Sequence, residues 1–147
     1  MSKKIRFSIG ADNNSKCVST AKEFLTENNY PYYEYGTLAK DSLSWVEIAS
    51  RVSQDVQKRK SDYGILFCYT GTGVTIVANK FKGIRAALCN TKSVAEGARK
   101  WNDANVIGIS TMNVKSNEIK EILSIFINTQ VDHAELSNIK KISEIEQ

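Results

Sequence analysis

A cysteine stands where an apolar run of the sequence meets a glycine-rich turn. Cys68 ends the run that begins at Gly64, and it is followed by Tyr69 and the turn Thr70-Gly-Thr-Gly73. Glycines let the backbone come close to a ligand, and the N–H groups at the start of a following helix favour a phosphate or a developing oxyanion. The same positive field favours the thiolate form of a nearby cysteine. Cys68 is therefore a small core residue, a metal ligand or a reactive base, and its position alone favours the core residue.

Other residues that could do chemistry are sparse. The three cysteines, Cys17, Cys68 and Cys89, are widely spaced and include no Cys-x-x-Cys pair, so the sequence predicts neither a disulfide framework nor a zinc site. We also expect no cofactor. Cys17 and Cys89 are predicted to be buried core residues. The single histidine, His133, is predicted to be an exposed residue of the tail. The turn itself is neither a Walker loop nor a GxGxxG motif, and its threonines are otherwise ordinary turn residues.

Hydrophobic periodicity predicts five strands that alternate with helices. Strands are predicted over residues 5–10, 32–36, 63–69, 84–89 and 106–110. Helices are predicted over residues 19–29, 44–60, 74–80, 91–102 and 116–128, with an amphipathic helical tail over 133–147. This alternation is typical of a doubly wound parallel sheet, a three-layer α/β/α sandwich of the Rossmann-like class. Such sheets bind ligands at the carboxyl ends of their strands, where residues 10–14 and 68–73 are expected to lie.

The composition indicates one soluble globular domain over residues 1–147. Hydrophobic residues make up 41% and charged residues 24% of the 147 residues, which is ordinary for such a domain. The net charge of +4 comes from lysines spread along the chain, which indicates a solvated surface rather than a nucleic-acid site. No apolar run approaches the roughly 20 residues of a membrane span, and the N-terminus lacks the pattern of a signal peptide. We therefore expect a cytoplasmic protein that binds neither nucleic acid nor membrane.

The segment from Gly64 to Arg85 resembles the core of the ribose-5-phosphate isomerase B family, whose superfamily includes the galactose-6-phosphate isomerase subunits. It carries Cys-x-Thr-Gly-x-Gly, then Ala-Asn-Lys, then Gly-Ile-Arg-Ala. The resemblance extends nearly end to end, through the segments Ile9-Gly-Ala-Asp12, Tyr35-Gly-Thr37 and Asn102-Asp-Ala-Asn-Val-Ile-Gly108. The pattern, including the tail from Ala134 to Ile142, is closest to that of the galactose-6-phosphate isomerase B subunit.

The resemblance implies a metal-independent aldose–ketose isomerase that acts on a sugar phosphate through a cis-enediolate. Cys68 would be the base that removes the proton beside the carbonyl group, and Thr70 would assist ring opening. Backbone N–H groups from Thr70 to Gly73 would hold the enediolate oxygen. The candidates for substrate binding are Asp12, Asn13, Tyr69, Gly71, Thr72, Gly73, Trp101 and Asn102, of which Asn102 would come from a neighbouring subunit.

The chain departs from the family's pattern at positions that open the ring and bind the phosphate. Asn13 and Trp101 occupy the places of two histidines. Trp101 would either stack on the sugar ring or fill a subunit interface. An Asp-Tyr-Pro triplet is replaced by Ser44-Trp-Val46, in which Trp45 is predicted to be a core residue. Arginines that would bind the phosphate bidentately are expected at positions that hold Met112, Ala134 and Asn138.

Three interpretations of these departures are open. In the first, the chain is one of two subunit types and its partner binds the phosphate, although Met112 counts against a B subunit, in which we expect an arginine there. In the second, the substrate differs and is bound by the chain's own lysines or lacks a phosphate. In the third, the chain is a non-catalytic sugar-binding or assembly subunit. Because the family's sites lie between subunits, we expect a homodimer or tetramer, or a hetero-oligomer with a related chain.

Overall fold

The fold is one five-stranded parallel sheet with helices on both faces. The computed structural model describes residues 3–146. The strands are β1 (Phe7–Ala11), β2 (Tyr32–Gly36), β3 (Tyr63–Cys68), β4 (Ala86–Leu88) and β5 (Val106–Ser110), in the order β2-β1-β3-β5-β4. Every pair of neighbouring strands is parallel. The predicted doubly wound α/β/α sandwich is therefore confirmed, and its strand order reverses between β1 and β3.

Two groups of helices cover the two faces of the sheet. Within residues 3–146 the helices are α1 (Lys16–Glu27), α2 (Trp45–Gln57), α3 (Thr72–Ala78), α4 (Lys92–Asn102), α5 (Ser116–Asn128) and α6 (Leu136–Glu144), the last preceded by a 3-10 turn (His133–Glu135). The first face packs against α1, α4 and α5, and the second face packs against α2 and α3. None of these helices has the length and apolar character that a membrane span requires.

The central strand β3 is buried on both faces, as its continuous apolar run predicted. Side chains alternate along a strand, so Ile65 and Phe67 pack in the core under α1, α4 and α5. Leu66 and Cys68 point the opposite way, into the core under α2 and α3. This alternation fixes which group of helices meets the Cys68 side chain.

The predicted positions of several side chains are confirmed and one is wrong. Cys17 and Cys89 are buried, and His133 is exposed. Trp45 is 44% exposed and not a core residue. Ser44 is the N-cap of α2, with its side chain accepting a hydrogen bond from the Glu47 N–H at 3.2 Å. Trp45 is therefore the first residue of the helix, at the carboxyl edge of the sheet, where the sheet no longer covers it.

The helical tail is confirmed, but its apolar side is not buried within this chain. No residue of α6 is buried, and Ile145 beyond its end is 79% exposed. The last position of the predicted tail, Gln147, lies outside the described residues, as do Met1 and Ser2 of the N-terminus.

A buried carboxylate joins α2 to the strands beneath it. Asp55 accepts hydrogen bonds from the hydroxyl groups of Ser8 and Tyr35, both at 2.7 Å. The Ser61 hydroxyl lies 2.6 Å from that of Ser8. Burial raises the pKa of Tyr35 to about 12, and the hydrogen bond to Asp55 acts in the same direction. Tyr35 therefore stays neutral and donates to the carboxylate over the whole ordinary pH range.

We expect Tyr35→Phe to lower the free energy of unfolding by about 1 kcal/mol at pH 8, because the buried carboxylate loses a donor. The pKa of Tyr35 is raised in the folded state, so its contribution is complete below the ordinary tyrosine pKa of about 10 and is lost as the pH rises towards about 12. Denaturant unfolding at pH 8 and near pH 11 should show a difference in the free energy of unfolding between wild type and variant, and this difference should be smaller at the higher pH. Tyr33→Phe, at the exposed neighbouring tyrosine, should leave the free energy of unfolding unchanged at both pH values. An equal loss of stability in Tyr35→Phe at both pH values would contradict the prediction.

Candidate active site

Cys68 lies at the carboxyl end of the central strand and is almost covered. It is the last residue of β3 and is 6% exposed. Its backbone carbonyl accepts hydrogen bonds from the N–H of Thr111 at 3.1 Å and from the hydroxyl of Thr111 at 3.4 Å. The strand end is thereby fixed to the segment that follows β5. The thiol is held on a rigid part of the sheet, immediately before the chain turns.

The turn after Cys68 requires glycine for both conformation and space. Gly71 has φ +76°, in the left-handed region, and is the N-cap of α3. A Cβ atom at Gly71 would lie 2.6 Å from Leu88 Cδ1 and 2.9 Å from the backbone N of Ser110. The Gly71 carbonyl also accepts a hydrogen bond from the Thr75 hydroxyl at 2.7 Å. The turn is therefore pressed against β4 and β5, with its backbone fixed before any ligand arrives.

The polar side chains of this turn face outward. The hydroxyl groups of Thr70 and Thr72 lie 2.7 Å apart, and both residues are exposed. Tyr69 is 65% exposed, while its carbonyl accepts a hydrogen bond from the Ser110 hydroxyl at 2.8 Å. Ordinary turn residues also form such hydrogen bonds, so the contact between Thr70 and Thr72 alone assigns them no functional role. They do lie at the mouth of the turn, within reach of solvent.

The loop after β1 reaches the same edge of the sheet. The Asn13 side-chain amide donates hydrogen bonds to Asp12 Oδ1 at 3.1 Å and to the Thr111 hydroxyl at 3.2 Å. Thr111 in turn bonds the carbonyl of Cys68. Because β1 and β3 are neighbours at the point where strand order reverses, these residues meet at the position where doubly wound sheets bind ligands.

Trp45 forms an aromatic wall beside the glycine turn. A Cβ atom at Gly73 would lie 2.9 Å from Cζ3 and 3.1 Å from Cε3 of the indole ring. The ring therefore lies against the backbone of the turn and fills the space that a side chain at this position would take. With 44% of its surface exposed, it offers an apolar face to anything bound there.

The two other cysteines are poorly suited to act as bases. Burial raises the pKa of Cys89 to about 12, and burial raises the pKa of Cys17. The Cys17 thiol also donates a hydrogen bond to the carbonyl of Val114 at 3.0 Å. Cys68 is the cysteine that stands next to the glycine turn and the Asp12 loop.

Comparison with known proteins finds matches both in sequence and in overall fold. A sequence profile described as Ribose/Galactose Isomerase covers residues 7–145. The chain belongs to this family. It is 32% identical over 124 residues to ribose-5-phosphate isomerase B of Escherichia coli, covering 84% of this chain and 83% of that one. The crystal structure of the Thermotoga maritima ribose 5-phosphate isomerase is similar with a TM-score of 0.89 and 29% identity, covering 97% of this chain and 100% of that chain.

A ligand-bound structure is among the similar folds. Ribose-5-phosphate isomerase B of Mycoplasma genitalium with bound ribulose-5-phosphate has a TM-score of 0.88 and 29% identity, covering 97% of this chain and 96% of that chain. The predicted superfamily is thereby confirmed. The closer likeness to a galactose-6-phosphate isomerase B subunit stays a prediction, as do the roles of the individual site residues.

Two of the predicted binding residues lie at the opposite edge of the sheet. Helix α4 starts beyond the carboxyl end of β4 and runs about 16 Å back to the amino edge, so Trp101 and Asn102 at its end are remote from Cys68 of the same chain. Trp101 is 53% exposed, and Asn102 lines a groove of about 570 Å³ with Arg85 and Ile142. A contact between Asn102 and a ligand at Cys68 therefore requires a second chain.

The positions at which this family was expected to carry arginines are exposed but uncharged. The Met112 N–H donates a hydrogen bond to the Tyr69 carbonyl at 2.9 Å, so Met112 adjoins the glycine turn, and its side chain is 49% exposed. Ala134 and Asn138 are exposed on the tail. The side chain that adjoins the turn therefore carries neither a charge nor an N–H donor with which to bind a phosphate.

Sequence reasoning missed Thr111, which connects the Asn13 amide to the Cys68 carbonyl. The signal was present as a polar pair, Ser110-Thr111, directly after an apolar strand. Thr111 reaches Cys68 only because β5 is the neighbour of β3. Local sequence patterns do not predict the order of strands across a sheet, so they do not predict this contact.

Proposed function

We propose that the chain is an aldose–ketose isomerase of a sugar phosphate in which Cys68 is the base. The observation that carries the proposal is the position of Cys68, at the carboxyl end of β3 between the glycine turn and the Asp12 loop. Cys68 thiolate takes the proton from C2 of the open-chain aldose, and the electron pair of that C–H bond forms the cis-enediolate. The Cys68 thiol exchanges part of this proton with solvent before a proton returns to C1, while another proton passes between the two oxygens, and the product is the ketose.

The fixed backbone of the turn suits the charge that develops in this reaction. The enediolate places negative charge on the former carbonyl oxygen, and preorganised N–H donors stabilise that charge more than they stabilise the neutral substrate. Gly71 and Gly73 let the turn pack closely against Leu88 and Trp45, so the N–H groups of the turn are held in place before the substrate binds. The hydroxyl groups of Thr70 and Thr72 are available at the mouth for the ring oxygen, and Asp12 is exposed for the sugar hydroxyls.

An oligomer completes this site in our proposal. Asn102 lies at the opposite edge of its own chain, so it reaches the substrate only from a neighbouring subunit. The same assembly would cover the exposed apolar residues of α6 and the Trp101 ring. A homodimer or tetramer and a hetero-oligomer with a related chain both meet this requirement. Because Met112 stands beside the turn, the phosphate is bound by lysines or by residues of the neighbouring subunit.

The direct test is exchange of the C2 proton of the substrate with deuterated water, followed by NMR. The purified chain is given ribose 5-phosphate, galactose 6-phosphate and unphosphorylated ribose in parallel. Exchange with one phosphate ester but not with ribose is the expected result, and it also identifies the sugar class. Absence of exchange with all three, alone and with a related subunit, would sink the isomerase proposal and favour a non-catalytic subunit.

Trp45 is expected to act on binding rather than on proton transfer. Since its indole ring lies against the backbone of the turn at Gly73, Trp45→Ala should raise KM about fivefold through lost stacking and leave kcat nearly unchanged. Steady-state kinetics separates the two parameters. Val46→Ala, at the next residue of the same helix, also removes an exposed apolar side chain and should leave both at wild-type values. A fall in kcat with constant KM would show that the ring acts on the chemical step instead.

A further inference from the structure

A second cavity lies at the amino edge of the sheet, opposite Cys68, and the proposed function does not use it. It measures about 510 Å³ and opens between the residues that precede β1, β3 and β5 and the ends of α2 and α4. We call it the amino-edge cavity. Its charged lining residues are Lys3, Arg6, Arg59, Asp62, Arg85, Arg99 and Asp103.

The amino-edge cavity has more cationic than anionic residues. Five of the charged residues are cationic and two are carboxylates, which leaves three positive charges uncompensated within the lining. Asp62 pairs with Arg6 at 3.5 Å. Asp103 is shared by two guanidinium groups, those of Arg85 at 3.3 Å and Arg99 at 2.7 Å. Among residues 3–146, neither Lys3 nor Arg59 forms an ion pair.

The inner wall of the amino-edge cavity contains a buried arginine whose hydrogen-bonding capacity is not used up. Arg99 is 7% exposed, with its guanidinium group 5.0 Å from the ring centre of Tyr63. Its Nη1 donates to Asp103 and to the carbonyl of Ala104, both at 2.7 Å, but its Nε has no partner in the part of the chain that the structure describes. Buried guanidinium donors are normally paired. The unpaired Nε itself has almost no accessible surface, so Arg99 contributes its positive charge to the inner wall.

Helix termini account for part of this positive charge only. Arg99 lies in the last turn of α4 and Arg59 follows the end of α2, where a cation offsets the partial negative charge of the helix terminus. Lys3 and Arg85 belong to segments that flank strands, and no helix ends at them. Arg85 shares Asp103 with Arg99, so the excess positive charge comes from Lys3, Arg59 and one of these two arginines. This excess favours a negatively charged occupant.

We propose that the amino-edge cavity binds a small phosphate-bearing dianion. Guanidinium groups present parallel N–H donors that match the oxygens of a phosphoryl group, and a volume of about 510 Å³ accommodates free phosphate or a small phosphate ester. Recognition rests on the phosphoryl group, which both sources share. The cavity lies at the edge of the sheet opposite Cys68 of the same chain.

The test is a titration with inorganic phosphate and, separately, with ribose 5-phosphate, followed by amide and arginine side-chain NMR. Saturable shifts of the Arg99 Nε–H and of the Tyr63 and Asn105 amides are expected. If both ligands shift these signals, the cavity accepts a phosphate ester. If only inorganic phosphate shifts them, free phosphate is the ligand. Shifts confined to the Gly71–Gly73 turn, or shifts that do not saturate, would overturn the proposal.

A matched pair of charge reversals separates the site from general surface charge. Arg59→Glu removes an exposed cation of the amino-edge cavity and should raise the dissociation constant about tenfold. Arg51→Glu makes the same change on α2 about 12 Å away along the helix axis, outside the lining, and should change it less than twofold. If both variants weaken phosphate binding equally, binding depends on the net charge of the protein alone, and the proposal of a defined site is contradicted.

Discussion

Replacing Cys68 by serine should lower the rate of C2 proton exchange about a thousandfold. Serine keeps the shape of the side chain at a buried position and cannot supply a comparable base, because a hydroxyl is far less acidic than a thiol. Affinity for the substrate should change little, since the backbone of the turn is fixed by Gly71 and Thr75. Single-turnover exchange followed by NMR, together with a binding isotherm, measures the two quantities independently.

Cys17→Ser is the matched control for this experiment. Cys17 is also buried and donates to the Val114 carbonyl, a bond that a serine hydroxyl can keep. Its exchange rate should stay near that of wild type. If Cys68→Ser exchanges as fast as wild type while remaining folded, another group is the base, and Cys68 returns to being a strand-end core residue.

The sequence predicts the sheet well because its strands are marked by burial. The run from Tyr63 to Cys68 is apolar at almost every position, which only a strand covered on both faces requires, and the structure buries it in both cores. Trp45 shows where the same reasoning fails. Its place on the apolar stripe of α2 predicted burial, but the Ser44 cap makes it the first helical residue, and a stripe says nothing about how far the sheet beneath it extends.

The site is predictable in its parts and not in its assembly. Cys68 and the glycines are adjacent in sequence, so their contact follows from local structure. The link through Thr111 depends on strand order, which arises from packing of the whole chain. Asn102 shows the limit most clearly. Only the topology shows that Asn102 lies at the edge of the sheet opposite Cys68 of its own chain. Its predicted contact with the substrate therefore requires a second chain.

Mixed oligomers test directly whether Asn102 acts in the site of a second chain. Asn102→Ala and Cys68→Ala should each abolish most of the exchange activity, because each removes one half of every site. Co-expression of the two variants should restore about a quarter of the wild-type activity in a two-fold symmetric dimer, since about half of the dimers are mixed and each mixed dimer has one intact site. The exchange assay on the co-purified mixture, against each variant alone, measures this recovery.

A pair of defects on the same side of the site provides the control. Cys68→Ala and Asp12→Ala both act at the carboxyl edge of one chain, so every site of their mixed dimer carries one defect and no recovery is expected. Recovery with Asn102→Ala but not with Asp12→Ala is explained only by a site that two chains share. If Asn102→Ala alone keeps full activity, Asn102 does not touch the substrate, and the position of its side chain at the opposite edge of the sheet reflects the packing of α4 and nothing more.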